Sequence, residues 1–258
     1  MNKALIVLDK EWLELRLQRG LLLATLFLPP VMTVFAVAGF FAVGKLSGPI
    51  PQGGPLPAEF ASLAPLEVAQ AIVGRQFSIL FLLLPIFIPS VLASYAIVGE
   101  KRERTLEPVL ATPIRTWELL LGKILAAVIP ALAITIASAA VFVIGILAFA
   151  VTDRVRGIIV TPGWILAVLV DAPLLALIGV ALIVVLSSRV NDPRTAQQFS
   201  AVLVVPVMAL LLGQLAGVIV LGPALALGIG VVLAAIAAAA LWAATRLFQR
   251  EVILTRWR

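Results

Sequence analysis

The sequence predicts an all-α polytopic membrane protein. It is expected to have six transmembrane helices, an amphipathic N-terminal helix in the membrane interface and a short helix on the cytoplasmic face. Three observations predict this. The chain is 62% apolar and 12% charged with a mean hydropathy of +1.17, against roughly 45–50% and 25% in soluble domains, so its apolar surface cannot be hidden in one globular core. Apolar stretches long enough to cross about 30 Å of hydrocarbon recur along it. The charged residues gather at the ends of those stretches, where topology signals lie.

Taken in order, residues 1–19 come first. Leu5, Leu8, Trp12 and Leu15 recur at helical spacing among Asp9, Lys10, Glu14 and Arg16, the pattern of a helix lying in the interface. Both charge signs are present and no small-residue cleavage pattern follows, so the segment does not read as a cleaved signal. The first span is placed at 21–43, with Pro29 and Pro30 expected to kink it. A Pro- and Gly-rich outer loop covers 45–75, with a short helical piece from Pro57 to Ala71, and reads as a cap over the outer mouth.

The second span, 76–98, is interrupted by Pro85 and Pro89. A polar elbow follows, GEKRERTLEPVLATPIRTWELLLGK, from Gly99 to Lys123, holding nine of the 32 charged side chains. Its coupling segment is placed at 99–118. The third span, 119–150, contains Pro130 and is too long to cross upright, so it must tilt, kink or project. After a short outer loop at 152–161, the fourth span runs 162–186. A second cytoplasmic turn, SSRVNDPRTAQQ, covers 187–198. The fifth and sixth spans are 199–221 and 223–245; the apolar link GQLAGVIVLGP between them suggests a re-entrant stub. A basic tail, 246–258, ends what reads as a single transmembrane domain over 1–258.

With the N-terminus inside, the cytoplasmic segments hold 15 of the 19 Lys and Arg, leaving Lys45, Arg75, Arg154 and Arg156 outside. This bias puts both termini in the cytoplasm and requires an even number of spans. It also accounts for the net charge of +6 without nucleic acid, which is not expected as a partner.

Several chemistries are excluded. With no Cys and no His, thiol catalysis, Ser/His/Asp triads and His-ligated metals are absent, and no metal site is expected. A P-loop is missing: Gly122-Lys123 has Trp117 where the first glycine belongs and Ile124 where the hydroxyl belongs. No catalytic residue is expected, and the chain should bind no cofactor itself. Ion-driven transport predicts ionisable groups at mid-membrane depth. Asp171, followed by Pro173, is the one that fits; with Ser94 and Tyr95 it is a candidate pathway residue, the alternative for Asp171 being a structural hydrogen bond.

Within the elbow, Thr105 can cap a short helix whose first turn holds Leu106, Glu107 and Pro108. Leu106, Val109 and Leu110 then share a face. Thr112-Pro113 repeats the cap-then-proline signature and starts the next helix. The residues alone leave two readings open, a contact for a soluble partner or an interfacial anchor.

The elbow resembles the signature segment of the type-two permeases of ATP-binding-cassette (ABC) exporters. SSRVNDPRTAQQ and the tail RLFQREVILTRW are similar to that family's third cytoplasmic segment and C-terminus. Arg104 and Pro108 depart from its commonest pattern, where glycine and a polar residue are frequent. The resemblance implies six helices per subunit, a second permease subunit (homodimer or heterodimer) and a separate cytoplasmic ABC ATPase dimer that binds ATP and Mg. It implies that 105–111 is a coupling helix seated in the ATPase, with the helix at 3–19 beside it. Glu100, Glu103, Arg104 and Glu107 would contact the ATPase, Leu106 and Leu110 would pack the coupling helix onto it or onto the base of the first span, and Thr105, Thr112 and Pro113 belong to the same coupling set.

The expectation is therefore a permease subunit of the inner membrane, exporting a hydrophobic or amphipathic substrate. Its rivals are a secondary transporter or channel that needs no ATPase, and a membrane scaffold that recruits a soluble partner.

Overall fold

The computed structural model describes residues 3–45, 60, 62–100, 114–187, 190 and 192–247. Every regular element among them is helical, and six helices are long and apolar enough to cross a membrane. The all-α polytopic architecture follows directly.

Helix α1 is Lys3–Leu17 and α2 is Arg19–Gly44. The second span is built from α3 (Pro65–Leu80), a tight 3-10 turn, α4 (Leu84–Ala93) and a wide π-helical stretch, Ser94–Gly99. Helix α5 spans Thr116–Phe149, 34 residues, or about 51 Å at 1.5 Å per residue. The short α6 (Asp153–Ile159) and α7 (Pro162–Leu166) lead through a π-helical turn, Ala167–Asp171, into α8 (Ala172–Ser187). Helix α9 (Pro193–Phe199) continues through another 3-10 turn to α10 (Val204–Leu215), and α11 is Pro223–Leu247. The second span ends and the third begins at the elbow end of the bundle, at Gly99 and Thr116; the opposite end is the far end.

Several boundaries differ from those read in the sequence. Helix begins at Pro65 inside the loop placed at 45–75, because Pro fits the first helical turn and the Glu67 carboxylate accepts from the Ala64 N–H at 2.8 Å. The loop at 152–161 contains α6. Helix α9 starts at Pro193 within 187–198, where Asp192 Oδ2 accepts from the Thr195 N–H at 3.0 Å. The link after α10 turns on Gly217, whose φ of 69° suits a residue without Cβ. There Gly213 O accepts from both Val218 N and Ile219 N.

Burial sorts the spans. The second and fourth are 72% and 61% buried, the other four 17–33%, so the second and fourth form the centre and the rest surround them. Phe142 of α5 sits in that centre between Phe81 and Trp164, with ring centroids 4.8 and 6.2 Å away. Trp164 Nε1 donates to Ser78 O at 2.7 Å, which satisfies its polar edge. The outer spans keep large apolar side chains exposed, such as Phe27, Phe35, Val205 and Val231. In water such faces would be a liability; in hydrocarbon or against another subunit they are ordinary.

Candidate functional site

Helix α1 lies along the elbow end of α5. Its buried stripe is Ala4, Val7, Leu8 and Glu11, with Leu15 packed on the core. Leu5, expected on the apolar face, is 48% exposed. The face that meets protein carries Val7, for which Gly122 of α5 offers a notch, while Leu5 stays on the outer side, open to the membrane interface. A Cβ at Gly122 would come 2.6 Å from Val7 Cβ and 2.8 Å from Ala4 O.

That stripe carries a carboxylate, Glu11, into the protein. Its Oε1 accepts from Lys123 Nζ at 2.5 Å. Lys123 Nζ also donates to Glu100 Oε2 at 2.7 Å and to Ala96 O at 2.7 Å, a carbonyl of the π-helical stretch. Glu11, Glu100 and Lys123 are all buried. At the rim, Lys10 pairs with Glu100 Oε1 and, at 3.0 Å, with Glu14. Glu100 closes the second span and Lys123 lies in the first turns of the third, so one ammonium ties both limbs of the elbow to α1.

The electrostatics follow from this sharing. Burial pushes Glu11 above the ordinary carboxylate range, and the nearby lysines only partly reverse it. For Glu100, burial acts upward too, but Lys123 and Lys10 together outweigh it and leave the group below the usual value. Lys10 is opposed by burial yet held protonated by Glu100, Glu11 and Glu14. Glu11, Glu14 and Glu100 place oxygens within 4.8 Å of one another, a spacing that could suit a cation. The two ammonium groups already supply positive charge to those oxygens, so the cluster works as an ion-paired clamp.

Of the site residues read in the sequence, Glu100 lies in this clamp. Ser94 is buried and donates to Val91 O at 2.8 Å, which turns it back on its own helix. Tyr95 lines both cavities at the elbow end. Asp171 is not with them. It is buried at the start of α8, about 24 Å of helix from Ser187, and faces Gly230 of α11, where an added Cβ would stand 2.9 Å from Asp171 Oδ1. Glu103, Arg104, Thr105, Leu106, Glu107, Leu110, Thr112 and Pro113 lie outside the described residues.

A helix pinned across both limbs of a polar loop suits the transmission of movement between that loop and the spans. The family model for ABC-2 family transporter protein matches residues 5–230. The chain belongs to the ABC-2 transporter family. This ABC-2 permease is thus the membrane subunit of an ABC transporter, a multi-pass protein of six apolar helices. No curated protein matches it.

Proposed function

We propose that this ABC-2 permease is the translocating half of an ABC exporter of hydrophobic or amphipathic substrates, powered by a separate cytoplasmic ATPase pair that binds ATP and Mg. A second permease subunit completes the pathway. The chain sits in the inner membrane with the elbow end and both termini in the cytoplasm, as its Lys and Arg distribution argues.

The observation that carries this reading is the clamp. A push on the elbow has two routes into the membrane, through Glu100 to the second span and through Lys123 to the third, and Glu11 joins both to α1. Rigid ion-paired connections pass displacement on; a floppy loop would absorb it. In this reading Glu103, Arg104, Thr105, Leu106, Glu107, Leu110, Thr112 and Pro113 form the ATPase contact. Tyr95 lies on the substrate's route near the elbow end, and Asp171 belongs to the far half of the bundle.

The test is reconstitution with the ATPase subunit in proteoliposomes. Replacing Glu103 and Glu107 together by Ala should lower substrate-stimulated ATP turnover while membrane insertion stays intact, since truncating an interfacial charge that leaves its partner unpaired costs about 2–5 kcal/mol. Unchanged turnover removes the assigned contact. Uphill transport by the permease alone, abolished by Asp171→Asn, would replace the pump with a secondary transporter.

A further inference from the structure

At the elbow end a cavity of about 580 Å³ opens between α2, the second span and α9. That volume falls within the roughly 300–1,000 Å³ of small-molecule sites. Its lining changes character with depth. Gln18, at the start of α2, Tyr95 in the π-helical stretch and Gln197 on α9 stand at the elbow end. Leu28, Phe87 and Ile88 stand deeper. Along α2 the lining reads Gln18, Gly20, Leu21, Thr25 and Leu28, and along the second span, from the elbow end inward, Tyr95, Val91, Ile88 and Phe87. On both walls the residue nearest the elbow end is polar and the deepest is apolar, with Leu21 and Val91 already apolar about 4.5–6 Å in and Thr25, among the described residues, the one polar side chain beyond them.

A second, smaller chamber of about 150 Å³ adjoins the first, sharing Gln18 and Tyr95. It reaches the clamp and is lined by Glu11, Glu14 and Glu100. Among the described residues, every charged side chain lining either chamber is a carboxylate. Those three carboxylates outnumber the two ammonium groups paired with them, Lys10 and Lys123, so one negative charge is left over, which favours a cationic head over an anionic one.

We propose that this two-chambered cavity is a loading site for an amphipathic cation, an apolar body in the larger chamber with one ammonium head turned toward Glu14 and the clamp. The inference rests on the transporter reading and specifies its substrate class. It also gives the clamp a sensor: an ammonium head beside Glu14 competes with Lys10, the one clamp lysine that reaches solvent, for the Glu14 carboxylate. Binding is thereby linked to the pair that holds Glu100.

The experiment uses the full chain in phosphatidylcholine nanodiscs. Three photoreactive probes share one diazirine-bearing alkyl chain and differ in head group: trimethylammonium, hydroxyl or sulfate. Labelled peptides are mapped by mass spectrometry and normalised to labelling of the exposed Val231 face of α11. The ammonium probe should label the peptide containing Phe87 and Val91 about fivefold more than the sulfate probe, the ratio of a partly screened single charge pair. Glu14→Gln should bring the ratio close to one, and Val91→Trp should remove the labelling by filling the slot. Equal labelling by all three heads, or labelling indifferent to Val91→Trp, means ordinary bilayer lipid at that surface and overturns the proposal. Should Val91→Trp fail to fold, the head-group ratio of the unaltered protein decides alone. Selective labelling without ATP-driven transport in the reconstituted complex keeps the site and sinks the pump; unselective labelling beside intact transport does the reverse.

Discussion

Lys123 Nζ lies 2.5 Å from Glu11 Oε1 although 112 residues separate them in the chain. Both are buried, and Glu100 shares the same ammonium. Taking such groups out of water costs several kcal/mol per ion, and a hydrophobic trio of equal size is often as stable. The arrangement therefore makes more sense as a device that fixes where α1 meets the two limbs than as a source of stability.

Removing one partner should nonetheless be expensive. Lys123→Met leaves Glu11 and Glu100 facing each other without the charge between them, and should destabilise the protein by about 3–5 kcal/mol. Neutralising the two acids should not be equivalent. Glu100 is held below its ordinary value of 4.5, so its ionised form stabilises the fold above that pH, and this contribution is lost as pH falls through the lower folded value. Glu11 is raised above 4.5, so its contribution is full at lower pH and is lost as pH rises through the folded value. At neutral pH, Glu100→Gln should then cost about 1.5–3 kcal/mol, the range for a charged hydrogen bond, and Glu11→Gln clearly less. Thermal unfolding in detergent at pH 7 checks the order. Equal losses, or a larger one at Glu11, would contradict the assignment of Glu100 as the firmly ionised member.

The Gly122 notch gives a second prediction. Gly122→Ala gains up to about 1 kcal/mol of helix propensity. Its Cβ, however, would stand 2.8 Å from a backbone carbonyl, Ala4 O, which cannot rotate away. Overpacking of this kind costs about 1–3 kcal/mol, so the clash wins and α1 lifts from α5. The chain has no Cys, so spin labels at introduced cysteines replacing the exposed Leu13 and Trp117 report the separation cleanly. The distance should lengthen and broaden in Gly122→Ala. Gly228→Ala, where the added Cβ meets open space, should leave it unchanged.

The six spans were legible because hydrocarbon imposes one demand, length with few charges, that leaves a mark in every stretch. The clamp was not. Glu11 and Lys123 each read locally as a charge beside an apolar run, which is what topology signals also look like. Their pairing depends on α1 lying back over a helix more than a hundred residues later, and no periodicity carries that. The phase of α1 was ambiguous for a related reason. Leu5, Ile6, Leu8, Leu13 and Leu17 surround most of the helix, so more than one stripe fits a 3.6-residue repeat. Gly122, not α1 itself, selects the stripe holding Val7. A usable signal was present in Glu11, four residues from both Val7 and Leu15 on one face.

A third prediction concerns the far end, where Gln70 is fully buried and joins three segments. Its Nε2 donates to Phe149 O at 2.9 Å and Phe40 O at 3.3 Å, and its Oε1 accepts from Val151 N at 3.0 Å. The end of α5 and the last turns of α2 are thereby held to α3 by one amide. Gln70→Leu strands the Phe149 carbonyl and the Val151 amide, and each unsatisfied group costs about 1–3 kcal/mol. Gln70→Glu keeps an acceptor for Val151 but turns carboxylate oxygens on two carbonyls, so it must either bury a charge against them or take up a proton. Burying that charge is the dearer course in a low-dielectric setting. The melting temperature should therefore fall in both variants and recover for Gln70→Glu on acidification, while Gln70→Leu stays insensitive to pH. Hydrogen exchange at the Val151 amide should accelerate in Gln70→Leu. A Gln70→Leu protein that melts with the unaltered chain and keeps Val151 protected would show that the far end is held together by apolar packing alone.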